Sequence, residues 1–261
     1  MSSSALTATA AGGRVASFGE APMSVFLDVD GTLLDLAERP DDVTTPAGLL
    51  QVLSRTERKL NGALALVSGR PIEALDRLFA PLRLRASGVH GAEIRFDPGA
   101  PPSRSPGAKE LPPSLWAELT QTLSQFPGAF AENKRFSFAV HYRRAAEKEA
   151  ELRAAVVRLI ENRPHVPVEM MNAHWVVELK ARGPDKGRAI ELFLAAPPFL
   201  GRTPIFVGDD TTDEAGFAVV SARGGFAYSV GRPRPGAVGA FANPQEVRDW
   251  LAAFAQGSAA A

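Results

Sequence analysis

Short apolar runs alternate with amphipathic stretches along most of the chain. Ser24-Val25-Phe26-Leu27, Leu64 to Val67 and Ile205 to Val207 are too brief for helices. Pro22 and Gly31 bound the first run, and all three predict buried strands. Each run ends in polar residues: Asp28, Ser68-Gly69 and Gly208-Asp209. Helical patterns lie between them. Thr45 with Pro46 predicts a capped helix start before Leu49, Leu50, Val52 and Leu53. Pro71 opens a second helix, and Lys186 to Ala195 forms a third. Asn243, Pro244 and Glu246 give an N-cap, a Pro at the first helical position and a capping-box Glu. Strand–helix alternation of this kind predicts an α/β fold, a parallel sheet flanked by helices. Ligands bind beyond the carboxyl ends of strands in such sheets.

The middle of the chain has another rhythm. Residues 97–113 are dense in Pro, Gly and Ser and predict a linker. A helical stripe follows at Leu115, Leu119, Leu123 and Phe126, then a strand over Phe136 to Val140. A helix over Lys148 to Ile160 and a strand over Trp175 to Leu179 complete an α+β insert. The expected layout is a tail over 1–20, a core over 21–104 and 181–256, and a smaller inserted domain over 105–180. Gly257 to Ala261 reads as a second tail.

Composition narrows the field. With 261 residues, 45% apolar and 22% charged, the chain is globular rather than disordered. Lys plus Arg equal Asp plus Glu at 29 each, which argues against a broad basic face for nucleic acid. No cysteine is present, excluding a disulfide scaffold, a thiolate metal site and a cysteine nucleophile. Apolar runs fall far short of a membrane span, and Met1 to Gly13 lacks the charged start of a secretory signal. The expectation is a cytoplasmic protein without a membrane partner.

The candidate chemistry sits at the strand ends. Asp28 and Asp30 are two apart, share a face and repel each other unless a cation or a proton intervenes. That pair suits a carboxylate nucleophile with a proton-transferring neighbour and a bound Mg²⁺, and it equally suits an Asp-rich surface turn. Gly208-Asp209-Asp210-Thr211-Thr212-Asp213-Glu214 is a second acidic cluster, matching either a cation site or an acidic helix start. Ser68-Gly69-Arg70 offers a phosphate seat or a plain helix cap. Lys186 before its helix offers a phosphate contact or a surface lysine.

In chain order, Asp28-Val29-Asp30-Gly31-Thr32-Leu33, Ser68, Lys186 and Gly208-Asp209-Asp210 resemble the haloacid dehalogenase superfamily of aspartate-nucleophile phosphatases. Glu132-Asn133-Lys134-Arg135-Phe136-Ser137, His141-Tyr142-Arg143, Gly88 to Glu93, Val177-Glu178-Leu179 and the 208–214 segment resemble the trehalose-6-phosphate phosphatases within it. Glu178-Leu179-Lys180-Ala181 departs from that pattern in lacking a Pro soon after the Glu. The resemblance implies a Rossmann-like core with an inserted α+β cap. It implies Mg²⁺-dependent hydrolysis of a small-molecule substrate, trehalose 6-phosphate, as the last step of trehalose synthesis. A monomer is expected.

The residue roles come with the resemblance. Asp28 is the nucleophile and Asp30 the general acid and base. Ser68 and Lys186 hold phosphate oxygens. Asp28, the Asp30 carbonyl and Asp209 ligate the metal, with Asp210 and Asp213 around them or holding Lys186. Gly69, Arg70, Glu132, Asn133, Lys134, His141, Arg143 and Glu178 are the substrate-binding candidates. A closing cap excludes water during phosphoryl transfer. Another capped sugar-phosphate phosphatase, acting for example on sucrose 6-phosphate, shares the core motifs. A catalytically silent sensor of a disaccharide phosphate is the reading from a different class.

Overall fold

The computed structural model describes residues 22–37, 42–173 and 175–256, together with the short antiparallel pair Thr9–Ala10 and Gly13–Arg14. The rest of the expected N-terminal tail, and the expected C-terminal tail, lie outside the described residues. The chain divides into two compact units, one of residues 1–103 and 185–261, the other of residues 104–184.

The first unit begins with β1 (Met23–Leu27), α1 (Leu49–Lys59), β2 (Leu64–Val67), α2 (Ile72–Leu78), β3 (Arg85–Gly88), β4 (Glu93–Arg95) and β5 (Ser103–Arg104). The second unit holds α3 (Pro113–Leu123), β6 (Phe130–Asn133), β7 (Ser137–His141), α4 (Glu149–Glu161), β8 (Val168–Ala173) and β9 (Val176–Ala181). The chain then returns with α5 (Lys186–Leu194), β10 (Thr203–Gly208), α6 (Glu214–Ala222), β11 (Phe226–Val230), β12 (Gly239–Phe241) and α7 (Pro244–Gln256).

Eight strands form the first sheet in the order β12-β11-β10-β1-β2-β3-β4-β5. β12 to β3 run parallel, and β4 turns back antiparallel on β3. The central strands read as unbroken apolar runs because helices cover both faces of a parallel sheet. Val25, Phe26, Leu27, Leu64, Val67, Phe206 and Val207 are accordingly buried. Phe26 stacks on Phe199 with ring centroids 5.2 Å apart, and Phe206 meets Phe217 at 5.3 Å. α7 buries Val247, Trp250, Leu251 and Phe254 along one face.

In the second unit β8, β9, β7 and β6 form an antiparallel sheet in that order. Strand alternation sends Phe138, Val140, Val177 and Leu179 to the face on which α3 and α4 pack through Leu115, Leu119, Leu152 and Val156. Ser137, Ala139, His141 and Glu178 therefore lie on the opposite face. Trp116 and Trp175 pack against the same core.

Two expected caps differ in detail. Gly48, at φ 82°, and not Thr45, precedes α1. Thr45 Oγ1 instead donates to Leu78 O at 2.7 Å, tying the loop to the end of α2. Asn243 caps α7 through Glu246 N at 3.1 Å, while Glu246 accepts from Ala242 N rather than from the cap residue. The stretch expected as a linker contributes Ser103–Arg104 to the edge of the first sheet. No helix among the described residues is long and apolar enough to cross a membrane.

Candidate active site

β1 lies between β10 and β2, so the residues after these three neighbouring strands converge at one edge of the sheet. Asp28 N donates to Val207 O at 2.9 Å, which carries the β1–β10 pairing up to the site. The chain turns at once through Gly31, at φ 75°. A side chain there would collide with the Asp209 carboxylate, so glycine serves both the turn and the close approach.

Lys186 is the hub. Its ammonium donates to Asp28 Oδ1 and Asp213 Oδ1, each at 2.7 Å, and all three groups are buried. Burial opposes its charge, but Asp213 and Asp28 hold the Lys186 pKa above its ordinary value. Thr32 Oγ1 lies 3.3 Å from Asp28 Oδ2 and 3.4 Å from Asp209 Oδ1, between the two carboxylates. Burial first, then Asp28, push the Asp209 carboxyl up to about 9. Burial also lifts Asp213, against the pull of Lys186.

Asp28, Asp209 and Asp213 each offer an oxygen within 4.8 Å of the others. Fully ionised, the three leave two negative charges that Lys186 does not offset. An all-oxygen donor set with that excess suits a hard divalent cation. The triad fits a metal ion on charge and on donor chemistry alike.

Ser68 and Arg70 complete this edge. Arg70 N donates to the buried Ser68 Oγ at 3.1 Å. The Arg70 guanidinium grips both oxygens of Asp30, with two bonds of 2.7 Å. The Gly88 to Glu93 turn buttresses the loop: His90 N donates to Ser68 O and Val89 N to Arg70 O, both at 3.0 Å. Glu93 Oε2 accepts from Ile72 N at 2.8 Å at the start of α2. Val89 and His90 are left-handed, at φ 46° and 51°, the kind of backbone strain that clusters at functional sites. Gly91 (φ 97°) sits against Asp185 O, just before Lys186.

The second unit presents a separate group of polar side chains on the sheet face opposite its helices. Glu178 accepts from Ser137 Oγ at 2.5 Å and pairs with Lys134 Nζ at 3.4 Å. Glu132 pairs with His141 Nε2 at 3.4 Å. That contact with His141 keeps the Glu132 carboxyl below the usual range despite partial burial. Phe130 stacks on His141 at 4.6 Å.

Within the first unit, Asp28, Asp30, Ser68, Arg70, Lys186, Asp209 and Asp213 come together as one group. Asp210 turns away: it caps the following turn, accepting from Thr211 N at 2.7 Å. In the second unit Glu132, Lys134, His141 and Glu178 share the sheet face. Asn133 does not join them, since its Oδ1 accepts from Arg135 N at 2.8 Å inside a turn where Arg135 has φ 70°. Arg143 is exposed in the turn after β7. Three contributors went unseen in the sequence: Thr32, Ser137 and Arg234. The first two lie inside quoted motifs, where a hydroxyl next to a carboxylate was the available signal. Arg234 follows β11, and its side-chain partners lie 20 to 25 residues away along the chain.

A parallel sheet with an Asp-x-Asp turn after its central strand, a buried lysine and a second acidic loop define a core of the haloacid dehalogenase superfamily. The comparisons narrow the class. Residues 26–234 match the family described as trehalose-phosphatase. The chain is 40% identical over 230 residues to a trehalose-6-phosphate phosphatase of Escherichia coli (strain K12), covering 87% of this chain and 84% of that one. It is 38% identical over 235 residues to a probable trehalose-phosphate phosphatase of Sinorhizobium fredii, covering 89% and 87%. A solved trehalose-6-phosphate phosphatase related protein superposes with a TM-score of 0.75 at 25% identity, covering 90% of this chain and 97% of that one. The C-terminal domain of the C. albicans trehalose-6-phosphate phosphatase superposes with a TM-score of 0.79 at 20% identity, covering 92% and 94%, and shows the shared fold. The chain belongs to the trehalose-phosphatase family.

Proposed function

We propose that the chain hydrolyses trehalose 6-phosphate to trehalose and phosphate, in the cytoplasm, where phosphorylated sugars are retained. The observation that carries the reading is the grip of Lys186 on Asp28 Oδ1 at 2.7 Å, with Asp30 two residues on and Asp209 alongside.

Asp28 attacks phosphorus in line, an aspartyl-phosphate bond forms, and the bond from phosphorus to the sugar oxygen breaks. Asp30 gives its proton to that oxygen. Water then attacks phosphorus, Asp30 takes up the water's proton, and Asp28 is released with phosphate. Lys186 and the Ser68 hydroxyl hold non-transferring oxygens, so the charge that spreads over them meets fixed donors. Arg70 grips both oxygens of Asp30, and proton transfer requires that fork to open.

Asp28 and Asp209, with the Asp30 carbonyl, are the residues that would hold Mg²⁺. Bound there, it would neutralise the excess carboxylate charge and polarise the phosphoryl group. The second unit acts as the cap and supplies sugar recognition. A disaccharide offers many hydroxyls, and the Glu132, Glu178 and Lys134 cluster supplies charged acceptors and a donor to match them.

Phosphate release from trehalose 6-phosphate, with and without Mg²⁺, tests the reading. Sucrose 6-phosphate, glucose 6-phosphate and an aryl phosphate run beside it. The expected result is Mg²⁺-dependent turnover with preference for trehalose 6-phosphate. Preference for another sugar phosphate would overturn the assignment of the second unit's face. No turnover of any substrate by folded protein with Mg²⁺ would overturn the hydrolase reading itself.

A further inference from the structure

We propose that Arg234 is a positioning residue for the cation end of the site, fixing the Asp209 carboxylate opposite Asp28 by clamping the backbone behind it. The proposal rests on the reading that Asp28 and Asp209 hold Mg²⁺.

Arg234 lies in Gly231-Arg232-Pro233-Arg234, after β11. Its side chain is only 7% exposed. Every hydrogen bond it makes to the acidic loop lands within six residues of one segment. Nε donates to the Asp209 carbonyl, Nη2 to Asp210 Oδ1 at 3.4 Å and Nη1 to Glu214 Oε1 at 3.4 Å. The planar fork thus spans the segment from its metal-side residue to the first residue of α6.

Front and back of Asp209 are held unequally. In front, Thr32 Oγ1 reaches its carboxylate at 3.4 Å while also facing Asp28. Behind, the chain is pinned twice: Asp210 N donates to Asp213 Oδ2 at 2.9 Å, and Arg234 takes the Asp209 carbonyl. Asp213 is itself fixed by Lys186. The segment is therefore held at Asp213 from the lysine side and at Asp209 from the arginine side. Ion pairing alone would not require the carbonyl contact. A bond to the backbone of the ligand residue sets position, and groups that orient metal ligands control affinity.

The test compares Arg234→Met and Arg234→Lys with the unaltered chain. Mg²⁺ binding is followed calorimetrically without substrate, and circular dichroism reports folding. Arg234→Met is expected to weaken Mg²⁺ binding by about 10- to 100-fold, the usual penalty for losing a group that orients a metal ligand. Arg234→Lys keeps the charge but lacks the fork, and most of the loss should remain. At saturating Mg²⁺ the KM for trehalose 6-phosphate should stay near its original value, because the proposed sugar contacts lie on the second unit. Should Arg234→Met not fold, the Lys variant carries the same comparison.

Unchanged Mg²⁺ affinity in a folded variant would overturn the proposal, even with a lowered melting temperature. Full recovery by lysine would overturn it too, leaving only a charge effect. Absence of Mg²⁺ binding to the unaltered chain would overturn the metal reading and this proposal together, a result distinct from either of the others.

Discussion

In the first unit Lys186, Asp28 and Asp213 are sealed from water and each carboxylate has a fixed donor. On the second unit's sheet face Glu178 is buried, but Glu132 keeps 37% of its side chain exposed, and its histidine partner stands at 3.4 Å. The contrast follows from what each must recognise. Charge that develops on a phosphoryl group is stabilised by donors and cations placed beforehand in a dry site, where reorganisation is small. Sugar hydroxyls are neutral and numerous, and they need polar groups that can exchange a water for a ligand. The first region gives up stability for preorganisation, since three carboxylates around one lysine repel. The second makes less of a concession: Glu132 lies beside His141, and Glu178 beside Ser137 and Lys134.

Asp28→Asn should separate the two regions most sharply. Loss of the nucleophile is expected to lower kcat by on the order of 10⁴-fold or more, equally for trehalose 6-phosphate and an aryl phosphate. The fold should persist, because an amide removes one repelling charge. Near-unaltered turnover by the purified variant would end the nucleophile assignment. On the other side, Glu132→Ala or Lys134→Ala should lower kcat/KM for trehalose 6-phosphate by roughly 10- to 100-fold, the range for a lost charged hydrogen bond. The aryl phosphate should be spared. Parallel losses on both substrates would place these residues outside sugar recognition.

The acidic centre also predicts a pH response opposite in sign to that of Glu132 on the sheet face, whose carboxyl is lowered. Asp209 is raised to about 9 when no cation is present, against an unfolded value near 3.9. Between those values the native state keeps a proton that the unfolded chain has lost. The metal-free protein should therefore be most stable at the acid end of that window and lose stability as pH rises toward 9. Mg²⁺ replaces the proton, so its stabilising effect should grow with pH. Melting temperatures with and without Mg²⁺ at pH 5 and pH 8 check this. An equal Mg²⁺ shift at both would contradict the charge excess.

The two regions were not equally legible. The core strands could be read because buried parallel strands are apolar throughout, and β1, β2 and β10 each end in the residues that do the chemistry. Lys186 could be named, but its partner in the acidic loop could not be chosen: Asp210 and Asp213 look alike in Gly-Asp-Asp-Thr-Thr-Asp-Glu, and only backbone geometry sends one to the lysine and the other to a cap. Arg70 was readable as a phosphate contact, and the fold pairs it with Asp30. β3, β4, β11 and β12 are short and mixed in polarity, so period-based reading passes over them. Arg234 had no local signal, because its partners lie 20 to 25 residues away.

The smallest effect tests where recognition ends within the sheet face. Asn133 sits between Glu132 and Lys134 in sequence, and strand alternation turns it away from both neighbours. Its Oδ1 accepts from Arg135 N at 2.8 Å, holding a turn in which Arg135 adopts φ 70°. Asn side chains make this bond because they reach a backbone amide two residues on. Asn133→Ala should therefore cost about 1 kcal/mol of stability, the worth of one such hydrogen bond, seen as a lowered denaturation midpoint. Its kcat/KM for trehalose 6-phosphate should stay within about twofold of the original, since a change under ~0.4 kcal/mol is a factor of two. A tenfold loss of kcat/KM without loss of stability would move Asn133 into the sugar site and extend the recognition surface round the end of β6. The expected outcome confines that surface to the alternate residues of β6, β7 and β9 and to Lys134 beside them, and it makes the turn a support for the face rather than a part of it.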